Sequence, residues 1–372
     1  MTEHVVIAGG GVGALEALLA LQSLAGDRVR ISLITPADHL SYRALSTAEP
    51  FGGGPAPRFS WKAIARDRGI RWIHDAVTAV RTDACEADTS TGPPVPYDAL
   101  LLALGAHPHA ALPGSLSFRG SRDVAAVEQA IERLTPGRRH SVAFVAVSGI
   151  GWTLPLYELA LMTADYGRSH GLDLAIEVVT RESEPLGVFG REASNAVARR
   201  LADAGVGLRT GSFATEVADG RLWLELEGPI EADVVIALPR LTGPRLAGVP
   251  HDEQGFVPVD PYGRVRGVER VWAVGDMTTR LLKQGGLAAQ QADVAAADIA
   301  ATIGGAPVEV RPYNPKLQGK LLTGAEPVYL ERRPHAPPES EASEAFLWWP
   351  PHKIAGRHIG AYLASPGARQ LG

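Results

Sequence analysis

Between the apolar run Val5-Val6-Ile7-Ala8 and the apolar stretch Ala14 to Leu24 stands the sequence Gly9-Gly10-Gly11-Val12-Gly13-Ala14. No other segment restricts the fold so strongly. A strand, a glycine turn, a helix and a second apolar strand, Val29 to Ile34, are the opening of a βαβ unit. The spacing fits G-x-G-x-x-A. Gly9 permits the tight turn, Gly11 lets the backbone approach a pyrophosphate, and Ala14 is small enough for close helix–strand packing. The helix that follows offers its N-terminal N–H groups and partial positive charge to phosphates.

The pattern occurs twice. Ser141 to Val147 is a second apolar run, followed by Gly149 and Gly151, a helix from about Leu156 to Tyr166, and a strand from Leu174 to Val179. Each half closes on a further apolar strand, Asp98 to Leu104 in the first and Ala232 to Ala237 in the second. Continuous apolar runs alternating with helices are buried parallel strands. Around Cys85 and residues 221–227 polar and apolar residues alternate, which predicts a small antiparallel meander in each half. Residues 311–344 have no such order, and the Pro, Glu and Ser of 334–344 read as a loop or flexible surface segment. Phe346-Leu347-Trp348-Trp349-Pro350-Pro351 is the densest aromatic patch.

Composition removes several function classes. Lys and Arg number 36 against 41 acidic residues, a net charge of −5, so no basic surface for nucleic acid is expected. There is a single cysteine, Cys85. One thiol cannot make an intramolecular disulfide, a dithiol redox centre or a multi-cysteine zinc site. The histidines are scattered without metal-ligand spacing, so no metal is expected. The first residues lack a basic region before the apolar run, and no stretch reaches about 18 uninterrupted apolar residues. The expectation is a soluble protein of the cytoplasm.

A second motif lies at Val271-Trp272-Ala273-Val274-Gly275-Asp276, a strand running into Gly-Asp, with a small-residue helix starting near Gly286. Together with the first glycine loop, this resembles the FAD-dependent pyridine-nucleotide oxidoreductases with two dinucleotide-binding domains. Within that family the chain is most similar to the branch of type II NADH dehydrogenases, sulfide:quinone oxidoreductases and flavocytochrome c sulfide dehydrogenases. Leu282-Lys283-Gln284-Gly285-Gly286 resembles their Pro-Lys-Thr/Ser-Gly element beside the flavin. Asp38 to Arg43 resembles their segment after the second strand. Leu102-Ala103-Leu104-Gly105-Ala106 resembles their Ala-Thr-Gly closure, with Leu104 in place of Thr.

The resemblance implies an α/β fold of two Rossmann-like domains, each a parallel sheet with a small meander. Residues 1–113 and 242–310 would bind FAD, residues 114–241 would form an NAD(P)-binding-like domain with an altered glycine loop, and residues 311–372 would be a C-terminal interface or membrane-docking segment. It assigns FAD to Gly9, Gly10, Gly11, Gly13, Ala14, Thr35, Arg43, Val77, Gly105, Gly275, Asp276, Lys283, Gln284 and Gly286. Asp276 would hold the ribityl chain, Arg43 the pyrophosphate, and the backbone at Val77 the adenine. Lys283 would place a cation beside the reduced flavin. Glu158, on the helix of the second half, would assist proton transfer to an acceptor.

Two positions depart from the pattern. Thr35, followed by Pro36, stands where a dinucleotide site usually has an acid for a ribose hydroxyl, and Asp38 is a substitute nearby. In the second loop Gly149 and Gly151 keep G-x-G, but Leu154 replaces the third small residue, and Trp152 and Pro155 are bulky. Arg181, after the second strand, suits a 2′-phosphate. NAD(P)H binding is therefore left open. The leading expectation is an FAD oxidoreductase without redox cysteines, passing electrons from NAD(P)H or another small reductant to a quinone-like or other small acceptor. The alternatives are a flavoenzyme that has lost nicotinamide for a specialised small molecule, and a non-enzymatic nucleotide-binding protein. The expected partners are a small electron donor and acceptor and no nucleic acid; a homodimer and peripheral membrane contact through the aromatic tail stay open.

Overall fold

The computed structural model describes residues 2–303, 305–334, 339–365, 367–368 and 370–371. Two five-stranded parallel sheets form its frame. The first runs in the order Val271–Ala273, Ala99–Leu102, Glu3–Ala8, Val29–Ile34, Arg71–Ile73. The second runs Leu116–Ser117, Val234–Ala237, Arg139–Ala146, Asp173–Thr180, Val206–Arg209. Val5 to Ala8 and Ala99 to Leu102 are all fully buried. That is the signature of strands covered on both faces. The antiparallel meanders lie where alternation places them, at residues 77–96 and 214–231.

Seven helices are described: α1 Val12–Ala25, α2 Trp61–Arg68, α3 Val124–Glu132, α4 Leu154–Ser169, α5 Arg191–Asp203, α6 Gly285–Thr302 and α7 Ile359–Leu363. α1 and α6 share one buried cluster through Ala14, Ala17, Leu18, Leu21, Ala292, Ala295, Ala296 and Ile299. Alanines let the two axes approach closely over the first sheet. α4 carries Pro155 in its first turn, where the missing N–H has no intrahelical partner to lose.

The C-terminal part differs from the sequence expectation. Residues 317–343 make a three-stranded antiparallel sheet of Leu317–Leu321, Val328–Arg333 and Glu339–Ser343. The segment expected as a loop therefore contains a strand, while its residues 335–338 lie outside the described residues. Glu339 to Ser343 has no apolar alternation to reveal it. It is paired through its backbone, from Arg333↔Glu339 to Tyr329↔Ser343.

The tail then folds back across the molecule. Ile354, Ile359 and Tyr362 are buried in the α1–α6 cluster, while Phe346 and Trp349 stay exposed. Its apolar residues enter the core from a short helix and turns rather than from one amphipathic helix. Among the described residues no helix is long and apolar enough to cross a membrane.

Candidate active site

The C-terminal ends of the first-sheet strands set up the first loop. Ala8 pairs with Ile34 on one side and Leu102 on the other, so the chain leaves the sheet at one level. Gly9 donates its N–H to Ile34 O at 2.9 Å, at φ 130°. A Cβ there would sit 2.2 Å from Ala103 O, so only glycine fits this turn. The Trp61 indole N–H donates to Gly10 O at 3.3 Å and braces the loop from behind. A Cβ on Gly11 would meet nothing within 4 Å, so the loop faces open space where a phosphate would approach.

That space is a cavity of about 1150 Å³. Gly9, Gly10, Gly11, Gly13, Thr35, Arg43, Val77, Gly105, Gly275, Asp276, Lys283 and Gln284 all line it, as do Gly149 and Gly151 of the second loop. The two glycine loops thus share one cavity. Ala14 and Gly286 are buried and do not line it. Ala14 packs in the core, and a Cβ on Gly286 would meet the Gln284 side-chain amide at 3.0 Å.

Several side chains do work other than that expected. Thr35 Oγ1 accepts the Ala37 N–H at 3.2 Å. Asp38 is exposed beside His74 and is not among the lining residues. The Gln284 side chain caps α6, accepting from Leu287 N at 2.7 Å and donating to Gln318 O at 2.9 Å, which leaves its backbone for a cofactor. Gly275 donates its N–H to the Gln291 amide oxygen at 2.8 Å; this buried glutamine orients the Gly-Asp turn.

Asp276 faces the cavity, with Lys283 and Arg43 as its neighbouring cations. Burial pushes its carboxyl up and the two cations oppose this. No hydrogen-bond donor among the described residues reaches it, so an acceptor stands on the wall without a protein partner. The Lys283 ammonium donates to Thr278 O and lies 3.9 Å from the centroid of the Phe256 ring. Burial pulls its pKa down to about 8, against the attraction of Asp276 and Asp252.

Glu158 corrects the sequence expectation of an acid at the reacting centre. It is fully buried in α4 and does not line the cavity. Its Oε1 accepts from Leu322 N at 2.9 Å, its Oε2 from Thr47 Oγ1 at 2.9 Å, and Lys353 Nζ donates to both at 2.6 Å. Lys353 and Thr47 are the cavity-lining members. Burial pushes Glu158 up and Lys353 down, and each opposes the shift of the other. Lys353 and Lys320, which also lines the wall, were not legible as site residues. They arrive from the tail and the C-terminal sheet, and neither segment carries a motif.

On the second loop, a Cβ at Gly151 would lie 2.3 Å from Leu281 O, so this glycine admits the chain's own 281–282 backbone. Arg181 lies off the cavity. It bonds Ser148 Oγ at 2.5 Å and stacks 4.2 Å over Phe213, and Arg240 Nε reaches Ser148 O at 3.2 Å. The acid beside Arg181 is turned inward: Glu182 accepts from Thr153 Oγ1 at 2.9 Å and Tyr157 OH at 2.6 Å.

Cys85 does not line the cavity; it is half-buried in the first meander, with its thiol 3.6 Å from Thr82 O. Among the described residues one trio has metal-ligand proximity, Glu16, Asp293 and His358, within 4.8 Å of one another. Both Glu16 oxygens already accept tail N–H groups, from His358 at 2.8 Å and Ile359 at 2.7 Å.

The chain is 29% identical over 225 residues to an NADH dehydrogenase-like protein of Mycobacterium tuberculosis, covering 56% of this chain and 55% of that protein. It is 26% identical over 214 residues to the sulfide-quinone reductase of Aquifex aeolicus, covering 55% of this chain and 48% of the relative. It thus spans about half the length of the curated relatives it matches. The solved sulfide:quinone oxidoreductase of Aquifex aeolicus superposes with a TM-score of 0.82 at 20% identity, covering 92% of this chain and 87% of that one, a likeness of fold. The family model for pyridine nucleotide-disulphide oxidoreductases matches residues 3–296, and the chain belongs to that family.

Proposed function

We propose that this chain is an FAD-dependent oxidoreductase that works without redox cysteines. It takes electrons from NAD(P)H or another small reductant and passes them to a quinone-like or other small acceptor. The observation that carries this reading is the single cavity joining the first glycine loop, Asp276 and Lys283 to the second glycine loop.

The residues fit the cofactor. Gly11 leaves room for a pyrophosphate at the start of α1, and Arg43 supplies a cation. Asp276 has no hydrogen-bond donor among the described residues and suits a chain of hydroxyls. When bound, FAD supplies reversible two-electron chemistry at its ring system. Lys283 would favour negative charge there, because its ammonium is held in a partly dehydrated place where a charge acts strongly. Lys353 holds a proton at Nζ on the cavity wall, with Glu158 fixed behind it as a counter-charge. Glu158 is therefore a positioning residue that acts through Lys353.

Anaerobic titration of the purified yellow protein with NADH and then NADPH, followed by visible absorbance, tests the donor. Rapid bleaching supports the reading. A flavin that dithionite reduces but neither coenzyme does removes the nicotinamide. The seating of the Leu281 backbone against Gly151 favours that second reading, a flavoenzyme whose donor is another small molecule.

A further inference from the structure

One part of the cavity wall is built by segments later in the chain than the first glycine loop. It is bounded by Leu154 and Pro155 at the start of α4, Gly285 at the start of α6, Lys320 from the C-terminal sheet, and Lys353 and Ile354 from the tail. Four separate stretches of chain converge there.

The charged side chains it presents to the cavity are both cationic, Lys320 and Lys353. Lys353 is balanced by Glu158 at 2.6 Å. Among the described residues no carboxylate pairs with Lys320. Its ammonium donates to the Pro351 carbonyl at 3.4 Å and lies 5.4 Å from the centroid of the Tyr329 ring. That ring is itself wedged edge-on by Phe346 and Trp348, at centroid distances of 5.5 Å and 5.0 Å. The ammonium thus lies over an aromatic cluster, on a side chain that lines the cavity. Lys320 is close enough to disfavour the charged form of Lys353. The acids lining the cavity are Asp252 and Asp276, and both act on Lys283 rather than on this part of the wall. The two helix starts add partial positive charge of the same sign.

We propose that this part of the wall binds the second substrate as an organic anion, a small cyclic molecule whose phenolate, enolate or carboxylate oxygen pairs with Lys320. The proposal rests on the flavoenzyme reading above and names the chemical class of its acceptor or donor. Lys353 cannot play this part, because its charge is already matched by a buried carboxylate. The apolar lining from Leu154, Pro155 and Ile354 suits the ring that carries the charge.

The test is equilibrium binding to the oxidised holoprotein, read by difference absorbance or fluorescence quenching. The probes are lawsone, a hydroxynaphthoquinone that is an anion at neutral pH, and menadione, its neutral methyl counterpart. Lawsone should bind about tenfold more tightly than menadione, a preference that shrinks with added salt. Lys320→Gln should bring the ratio of the two affinities close to one, and Lys320→Arg should keep it. Equal affinities in the natural protein, a preference that survives Lys320→Gln, or binding of neither quinone would overturn the proposal. A protein that takes up no FAD would instead overturn the flavoenzyme reading.

Discussion

Lys353 Nζ lies 2.6 Å from both carboxylate oxygens of Glu158, and the two residues are 195 positions apart in sequence. The pair joins α4 to the tail at the cavity wall. Burying two charges is costly, and removing one partner leaves the other uncompensated. Lys353→Met should therefore destabilise the protein by about 3–5 kcal/mol. The Lys353→Met, Glu158→Gln double variant should be more stable than Lys353→Met alone. Urea unfolding of the natural protein and the variants measures this, and a double variant that is less stable than Lys353→Met would sink the account.

Asp276→Ala should yield mostly apo-protein. A hydrogen bond to a charged group is worth about 1.5–3 kcal/mol, which is roughly ten- to a hundredfold in affinity. The ratio of flavin to protein absorbance after purification gives the answer directly. Full occupancy would place the ribityl chain elsewhere.

Lys283→Met should lower the flavin's midpoint potential, because the oxidised ring loses a neighbouring cation that favours its reduction. A shift of roughly 30 mV for a two-electron couple corresponds to about 1.4 kcal/mol of lost stabilisation. Dye-equilibrated reduction measures it, and an unchanged potential would put this ammonium away from the ring.

If nicotinamide is the donor, Arg181 should set its choice. Arg181 and Arg240 both bond to Ser148, whereas Glu182, the acid next to Arg181, is bonded inward to Thr153 and Tyr157. The exposed charge at this strand end is cationic and suits the 2′-phosphate of NADPH. Arg181→Ala should lower the NADPH-to-NADH ratio of kcat/KM by about tenfold. A natural protein that prefers NADH would refute the assignment.

Asp293 gives a pH dependence. Burial and the neighbouring Glu16 push its pKa up to about 8, and Arg357 opposes the shift. The folded state therefore holds a proton that the unfolded chain releases near pH 4. Its contribution is fully present below about pH 4, falls as pH rises and is gone above about pH 8, at a slope of at most about 1.4 kcal/mol per pH unit. Asp293→Asn should flatten this dependence, as urea midpoints across that range would reveal.

The parallel strands and the first glycine loop were legible because burial on both faces leaves continuous apolar runs, and because Gly9 has no substitute at its turn. The motifs of Lys283 and Asp276 singled out two residues that line the cavity. The depth of Glu158 was not. α4 buries Leu156, Tyr157, Leu159 and Ala160 around it, and the acid is satisfied there by Thr47, Leu322 N and Lys353, three groups distant in sequence. Lys320 and Lys353 are ordinary lysines in sequence and become site residues through tertiary placement alone. Gln284 sits in the expected element, yet its side chain is committed to capping α6.

Glu16 accepts the N–H groups of His358 and Ile359 and is fully buried in α1. A chain under synthesis produces α1 long before residues 358 and 359 leave the ribosome. Until then the helix after the first glycine loop carries an acid whose two donors do not yet exist. The buried acid of α1 is thus satisfied by a segment more than 340 positions later in the sequence.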